Sequence, residues 1–277
     1  MSQHIVVAVD ESDAGDQAVR TALEITRRTW GKVTVLHVVA APVRRALRKV
    51  AGGDSLSEEA TSSEDRVRSR LAHNASPLLQ LSVAFGVPSI EICRFAEECG
   101  ADLIVLGRKH HCARSRLLLG DTADAVARRS RLPTLFVPET GSQLSSILVA
   151  LDGSERGMKV LDEACSFAQA IGGALHVITV EGSVAGDSDH CSLTLTRSAI
   201  IEARVRDMVA RQKLGDVAMT VQRGNVAAEV LKEVDAGDHD VLVIGHHRGG
   251  PAWLVQTSST AQQLGHAAPC AVLTVPL

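Results

Sequence analysis

Aromatic residues are nearly missing from this chain of 277 residues: four Phe, two Trp and no Tyr, or 2% of the whole. A core with so few rings has to be built from Val, Ile, Leu and Ala. The same scarcity argues against a nucleic-acid binder that stacks bases on aromatic platforms. Long apolar runs are also absent, and none approaches the ~20 residues a membrane-spanning helix needs. The opening residues, MSQHIVVAVDES, lack the basic stretch and cleavage site of a secretory signal. Six cysteines (Cys93, Cys99, Cys112, Cys165, Cys191 and Cys270) contain no CxxC pair and read as reduced, mostly buried thiols. Neither sign of charge dominates: 29 basic and 32 acidic residues leave −3. These absences predict a cytoplasmic protein without a nucleic-acid or membrane partner.

Catalytic signatures are missing too. There is no GxSxG elbow, no GxxxxGK[ST], no HExxH, and no GxGxxG after the first strand. A phosphoacceptor role for Asp10 would need a carboxylate cluster and a further Asp ending the third strand, where Phe85-Gly86 stands. His110-His111 and His246-His247 are adjacent pairs, which point opposite ways in extended chain and rarely serve one ion, so no metal site is expected. The expectation is that the chain is not an enzyme.

What the chain does have is itself, twice. Ile5–Asp10 (IVVAVD) matches Ile147–Asp152 (ILVALD) at an offset of 142, as do Ser12 and Ser154, Gly15 and Gly157, and Gly31 and Gly173. Further on the offset is 138, pairing Gly86 with Gly224, Asp102–Gly107 (DLIVLG) with Asp240–Gly245 (DVLVIG), and Phe136-Val137-Pro138 with Thr274-Val275-Pro276. One register change in a polar mid-unit loop is what a duplicated domain shows, and the period is far too long for a solenoid.

Within each copy, apolar Val/Ile-rich runs alternate with helical stripes. The predicted strands are Ile5–Val9, Val33–Val39, Leu81–Phe85, Leu103–Leu106 and Thr134–Val137, and in the second copy Ile147–Leu151, Leu175–Val180, Val217–Val221, Val241–Ile244 and Ala271–Val275. Continuous apolar strands are buried on both faces, hence parallel. The first helix carries Ala18, Ala22 and Ile25, with Ser12 or Asp13 as its N-cap and Gly31 ending the connection to the next strand. Further helices are expected at Glu58–Gln80, Ile90–Cys99 and Asp121–Arg129. The fold class is therefore α/β, as two tandem doubly wound five-stranded parallel-sheet domains. Domain 1 spans 1–138, a polar linker 139–146, and domain 2 147–277.

Ligands of open parallel sheets bind beyond the strands' C-terminal ends. Asp10 and Asp152 end strand one in each copy, and serve equally as turn residues or as polar anchors for a ligand. After strand four the first copy runs from Gly107 to Gly120 without an acid and carries Arg108, Lys109, Arg114 and Arg116, a composition suited to polyphosphate or simply to a solvated loop. The second copy has one Arg there, together with Pro251 and Trp253. Residues 1–138 hold 19 Lys/Arg against 16 Asp/Glu, a formal +3, and residues 139–277 hold 10 against 16, a formal −6.

The ordered set VVAVDES and LVALDGSERG, VTVLHVV, GADLIVLGR and DHDVLVIGH, LPTLFVP and APCAVLTVP resembles the universal stress protein family in tandem, over nearly the whole chain. The resemblance implies a Rossmann-like pseudo-dimer paired through the last strands, Thr134–Val137 and Ala271–Val275. It implies a stress-response sensor or interaction module with a protein partner, as a monomer with an internal two-fold or as a homodimer. Nucleotide-binding members carry G-x2-G-x9-G-[S/T] after strand four. Here Gly107 and Gly120 match, His110 stands for the middle Gly, and Asp121 precedes Thr122. In the second copy Gly245 matches, Arg248 replaces the middle Gly, Ser258 the last, and Ser259 keeps the hydroxyl. Both motifs are degenerate. The alternative is an ATP-binding switch, with ATP as cofactor held by Asp10, Val39, Gly107, Arg108, Gly120 and Thr122. Asp152, Gly245, Ser258 and Ser259 form the degenerate counterpart.

Overall fold

The computed structural model describes residues 4–40, 54–74, 76–108, 121–141, 143–181, 190–215, 217–246 and 260–277. It divides into two compact units, with the division following Gly141. The first contains β1 (His4–Val9), α1 (Asp13–Thr29), β2 (Lys32–Ala40), α2 (Asp54–Arg70), a 3-10 turn (Leu71–Asn74), β3 (Leu79–Gly86), α3 (Pro88–Glu98), β4 (Leu103–Arg108), α4 (Asp121–Arg129) and β5 (Thr134–Pro138). The second contains β6 (Ser146–Leu151), α5 (Glu155–Ile171), β7 (Ala174–Glu181), α6 (His190–Arg211), β8 (Ala218–Arg223), α7 (Val226–Ala236), β9 (Val241–His246), α8 (Thr260–Ala267) and β10 (Ala271–Pro276).

Strand order is 3-2-1-4-5 in the first unit and 8-7-6-9-10 in the second, one topology used twice. β1 pairs in parallel with β2 and β4, and β6 with β7 and β9. The doubly wound parallel sheets expected from the strand patterns are therefore present in both units. In each, the winding reverses beside the first strand, which opens a crevice at the strand ends there.

Strand alternation decides what each face buries. Val6, Ala8, Leu36, Ile104, Leu106 and Phe136 turn to one face of the first sheet, under Ile92, Cys93 and Ala96 of α3 and Val126 of α4. α1 packs on β1 and β4 from the other side, burying Ala14, Ala18, Ala22 and Ile25. The second unit repeats the first of these layers with Leu148, Ile178, Leu242, Ile244 and Val272 under Val230 and Val234 of α7 and Leu264 of α8. Burial pushes the thiols up, Cys93 to about 11 and Cys165 to about 12, so both stay protonated core groups.

Several boundaries differ from the sequence expectation. The helix expected over 58–80 begins at Asp54, ends at Arg70 and is followed by the 3-10 turn, with β3 from Leu79. Pro77 explains the early stop, since a helix cannot run through it. Pro88 opens α3 two residues ahead of the expected start, at the position where a missing N–H costs nothing. β8 is Ala218–Arg223 rather than 217–221. Ser12, not Asp13, is the N-cap of α1: its side chain accepts from the Gly15 N–H at 3.3 Å.

The close of α1 also differs. Trp30, not Gly31, takes the left-handed conformation, with φ 56. The N–H groups of Trp30 and Gly31 both reach the Thr26 carbonyl. At the same point of the second unit Gly172 is left-handed, with φ 66. Trp30 is 94% exposed, so its ring contributes little packing to offset the backbone strain. Trp30→Gly therefore raises stability by about 1 kcal/mol, measured as the shift of a urea unfolding midpoint.

Both units bury a histidine near the N-terminal ends of their strands. His4 Nδ1–H donates to the Cys99 carbonyl at 3.2 Å, and Nε2 lies 2.9 Å from the Thr34 hydroxyl. In the second unit the residue at the His4 position is Ser146, and its hydroxyl lies 2.8 Å from Nδ1 of buried His239, supplied from the turn before β9. The His239 ring stands edge-on to His176, centroids 5.0 Å apart. Burial, then the His176 charge, lowers the His239 pKa against the pull of Glu233 and Asp240. Burial and Lys32 lower that of His4, against the Cys99 carbonyl and Asp102. A pKa depressed in the fold favours the neutral ring, so the stability it brings is present above 6.5 and is lost as pH falls below it. The urea midpoint should fall between about pH 7 and 5. His239→Asn, uncharged throughout, should show a flatter fall; an equal fall removes His239 from the effect.

Candidate functional site

The crevice of the first unit is a cleft of about 250 Å³ at the C-terminal ends of β1, β2 and β4. Ala8, Val9 and Asp10 come from the end of β1, Leu36, His37 and Val38 from β2, and Leu106 and Gly107 from β4. Pro88 and Ile92 of α3 and Asp121, Thr122 and Ala123 of α4 close it.

The turn after β1 is built around its carboxylate. Asp10 Oδ1 accepts from the Ser12 hydroxyl, which in turn caps the Gly15 N–H. The second unit repeats this: Asp152 Oδ1 accepts from Ser154 N–H at 2.9 Å and from its hydroxyl at 2.7 Å, and Ser154 caps Gly157 at 3.0 Å. Between Asp and Ser the backbone is left-handed, at Glu11 (φ 54) and Gly153 (φ 74). The Asp is thus a turn residue in both units, and it also faces the cleft. His37 sits across from it, with Nδ1–H donating to the Val9 carbonyl at 3.0 Å, which fixes the tautomer and leaves Nε2 as the other ring nitrogen.

Gly107 lets α1 reach the end of β4. A Cβ there would stand 2.3 Å from the Ala14 carbonyl oxygen and 2.8 Å from the Gly15 nitrogen, and neither backbone atom can give way without moving the helix. At Gly245 the same Cβ would meet side-chain ends, Leu277 Cδ1 at 2.8 Å and Val160 Cγ2 at 2.9 Å. Gly107→Ala should cost on the order of 1–3 kcal/mol, and Gly245→Ala clearly less, in paired thermal unfolding experiments. Equal costs would mean that the α1–β4 approach is not what Gly107 is for.

The structure brings Asp10, Gly107 and Thr122 to one cleft, as the sequence places them. Val39 is not among the lining residues. The β2 residues that line the cleft are Leu36, His37 and Val38, from both faces of the strand. Arg108 is not a solvated loop residue: it is 2% exposed, and β4 runs one residue past Gly107 to pair Arg108 with Pro138. Gly120, Ser258 and Ser259 lie outside the described residues, as do Lys109, Arg114, Arg116 and Arg248. Asp152 and Gly245 line the equivalent cleft of the second unit. His37 also lines the cleft, and the signal for it in the sequence is its place near the end of β2, one strand from the switch point. Among the described residues no cluster of His, Cys, Asp or Glu could hold a metal ion, and no helix is long and apolar enough to cross a membrane.

Comparison with known proteins agrees with the motifs. The model of the universal stress protein family matches residues 1–138 and again 144–276. Universal stress protein G of Shigella flexneri is 33% identical over 144 residues, covering 50% of this chain and 99% of that protein. A universal stress protein of Mycobacterium tuberculosis is 23% identical over 291 residues, covering 98% of this chain and 99% of the relative. Among solved structures, a universal stress protein from Archaeoglobus fulgidus superposes with a TM-score of 0.73 at 18% identity, covering 100% of this chain and 99% of the other. Two successive family matches, a fold to go with them and a relative matched over nearly all of both chains agree: the chain belongs to the universal stress protein family and carries two of its domains in tandem.

Proposed function

We propose that the chain is a non-enzymatic stress-response module that acts through binding, and that its first unit is the one that takes a polar ligand. The observation that carries the non-enzymatic reading is the shared turn after β1 and β6, while the choice of the first unit rests on Asp10, His37, Asp121 and Thr122 lining its cleft. The carboxylates of Asp10 and Asp152 are held in that turn by the serines that cap the next helix. A carboxylate engaged in building a turn is a recognition and folding element, not a poised base. A protein partner reads the liganded state. The direct test is ADP release from ATP and magnesium by the full chain and by Asp10→Ala. Turnover by the wild-type chain that the variant loses would overturn the reading.

A second reading, an ATP-binding switch, is favoured by one feature of the first cleft. Asp10, His37 and Thr122 line it with the close-approach Gly107 beside them, at the switch point where such folds take nucleotides. Asp121 stands against it, because it brings a negative charge to the start of α4, where a phosphate would otherwise gain from the helix dipole. If ATP is the ligand, Asp121→Ser should tighten it by roughly three- to tenfold, read by isothermal titration with ATP and magnesium. No heat at millimolar ATP from either form removes ATP from this site.

A further inference from the structure

The second unit has a cleft at the same place, and its described lining residues carry fewer ionisable side chains. Among the described residues lining the first cleft, three are ionisable: Asp10, His37 and Asp121. Among the described residues lining the second, only Asp152 has an ionisable side chain. The position of His37 is taken by Thr179, which is 4% exposed and donates its hydroxyl to the Leu151 carbonyl at 3.0 Å. It does for the backbone what His37 does in the first unit, without presenting a ring to the cleft. The position of Val126 is taken by the larger Leu264, and that of Glu139 by Leu277, both of which line the cleft.

The second cleft is also larger, about 430 Å³ against 250 Å³. That size falls within the range of small-molecule sites, and a lining of Val, Ile, Leu and Ala with a few polar groups at one end is how such sites are built. The polar groups are Asp152 and Thr260, both on the solvent-exposed side. Phosphate would meet a carboxylate and apolar walls here, with no cation among the described lining residues to offset its charge. We propose that the cleft of the second unit binds a neutral, chiefly apolar small molecule, with one hydrogen-bond donor directed at Asp152 and Thr260. The duplicated chain then reads two chemically different ligands, a polar one in the first unit and an apolar one in the second. The second site stands whether or not the first takes ATP.

The test uses the full chain and the neutral arylamine N-phenyl-1-naphthylamine, whose fluorescence rises on leaving water. Saturable enhancement at one site per chain is expected, unaffected by millimolar ATP. Ala261→Phe, which fills the cleft, should weaken the probe about tenfold or more, and so should Val226→Glu, which sets a charge at its rim. Ala123→Phe, at the matching position of the first unit, should leave probe binding unchanged. Val226 is 37% exposed in the first turn of α7, where an acid suits the helix, so this variant folds even where Ala261→Phe does not. Thermal unfolding of each variant confirms the fold. No saturable enhancement, displacement by ATP, or loss on Ala123→Phe alone overturns the proposal. Enhancement that fades as protein concentration rises, with dimers seen in sedimentation, assigns the cleft to a second copy of the chain and overturns it as well.

Discussion

The contact on which the rest of the molecule depends is the approach of α1's first turn to the end of β4. The backbone of Ala14 and Gly15 lies where a side chain on Gly107 would be. Because the sheet reverses its winding between β1 and β4, the helix leaving β1 must cross the end of β4 at close range. That crossing sets the height of the turn after β1, and with it Asp10 and Ser12. It leaves a crevice whose floor is Ala8 and Leu106. The same geometry recurs in the second unit with a looser contact, since Leu277 and Val160 side chains, not backbone, occupy the space beside Gly245.

Much of this was legible because it is written in patterns with a direct physical cause. Short apolar runs rich in β-branched Val and Ile suit strands covered on both faces, and the two offsets showed that one plan is used twice. The Asp-x-Ser-x-x-Gly turn was readable for a similar reason, since the cap needs an oxygen three residues before a helical N–H. What escaped was information that lives in strand ends. Val38 and Val39 are indistinguishable in composition, and only how far along β2 the cleft reaches, to Val38, separates them. Arg108 read as a loop residue because a glycine precedes it, yet the ladder to β5 continues through it. Trp30 was passed over for Gly31 because glycine usually takes the left-handed position, and here a bulky residue does.

The two units serve as controls for each other. Each satisfies the space below its first strand with a buried imidazole, but the ring comes from β1 in one and from the turn before β9 in the other. The requirement is therefore a neutral hydrogen-bonding group of that size in that place, not a particular position in the chain. The sequence offset alone cannot show this, because it aligns His4 with Ser146 and leaves His239 without an apparent counterpart. Asp102 and Asp240, by contrast, keep both position and task. Each accepts from the backbone N–H at the start of the unit's first strand, His4 and Ser146 respectively. Each carboxylate is tied to main-chain N–H groups of the first strand, whereas each imidazole, although His4 also bonds the Cys99 carbonyl, meets a hydroxyl that changes place with it.

That difference explains how the clefts diverged while the fold did not. Residues that contact backbone, such as Ser12, Ser154, Asp102 and Asp240, are constrained by main-chain positions that both units share. Residues that contact only side chains or the cleft, such as Asp121 and Val126, are free to change in volume and charge as long as their neighbours accommodate them. His37 is the instructive boundary case. Its backbone-directed bond to Val9 is kept in kind by Thr179 bonding Leu151, while its ring, the part that faced the cleft, is gone. A duplicated domain can therefore change what it binds without paying for it in folding, provided the change is confined to atoms that the strand ends and caps do not use.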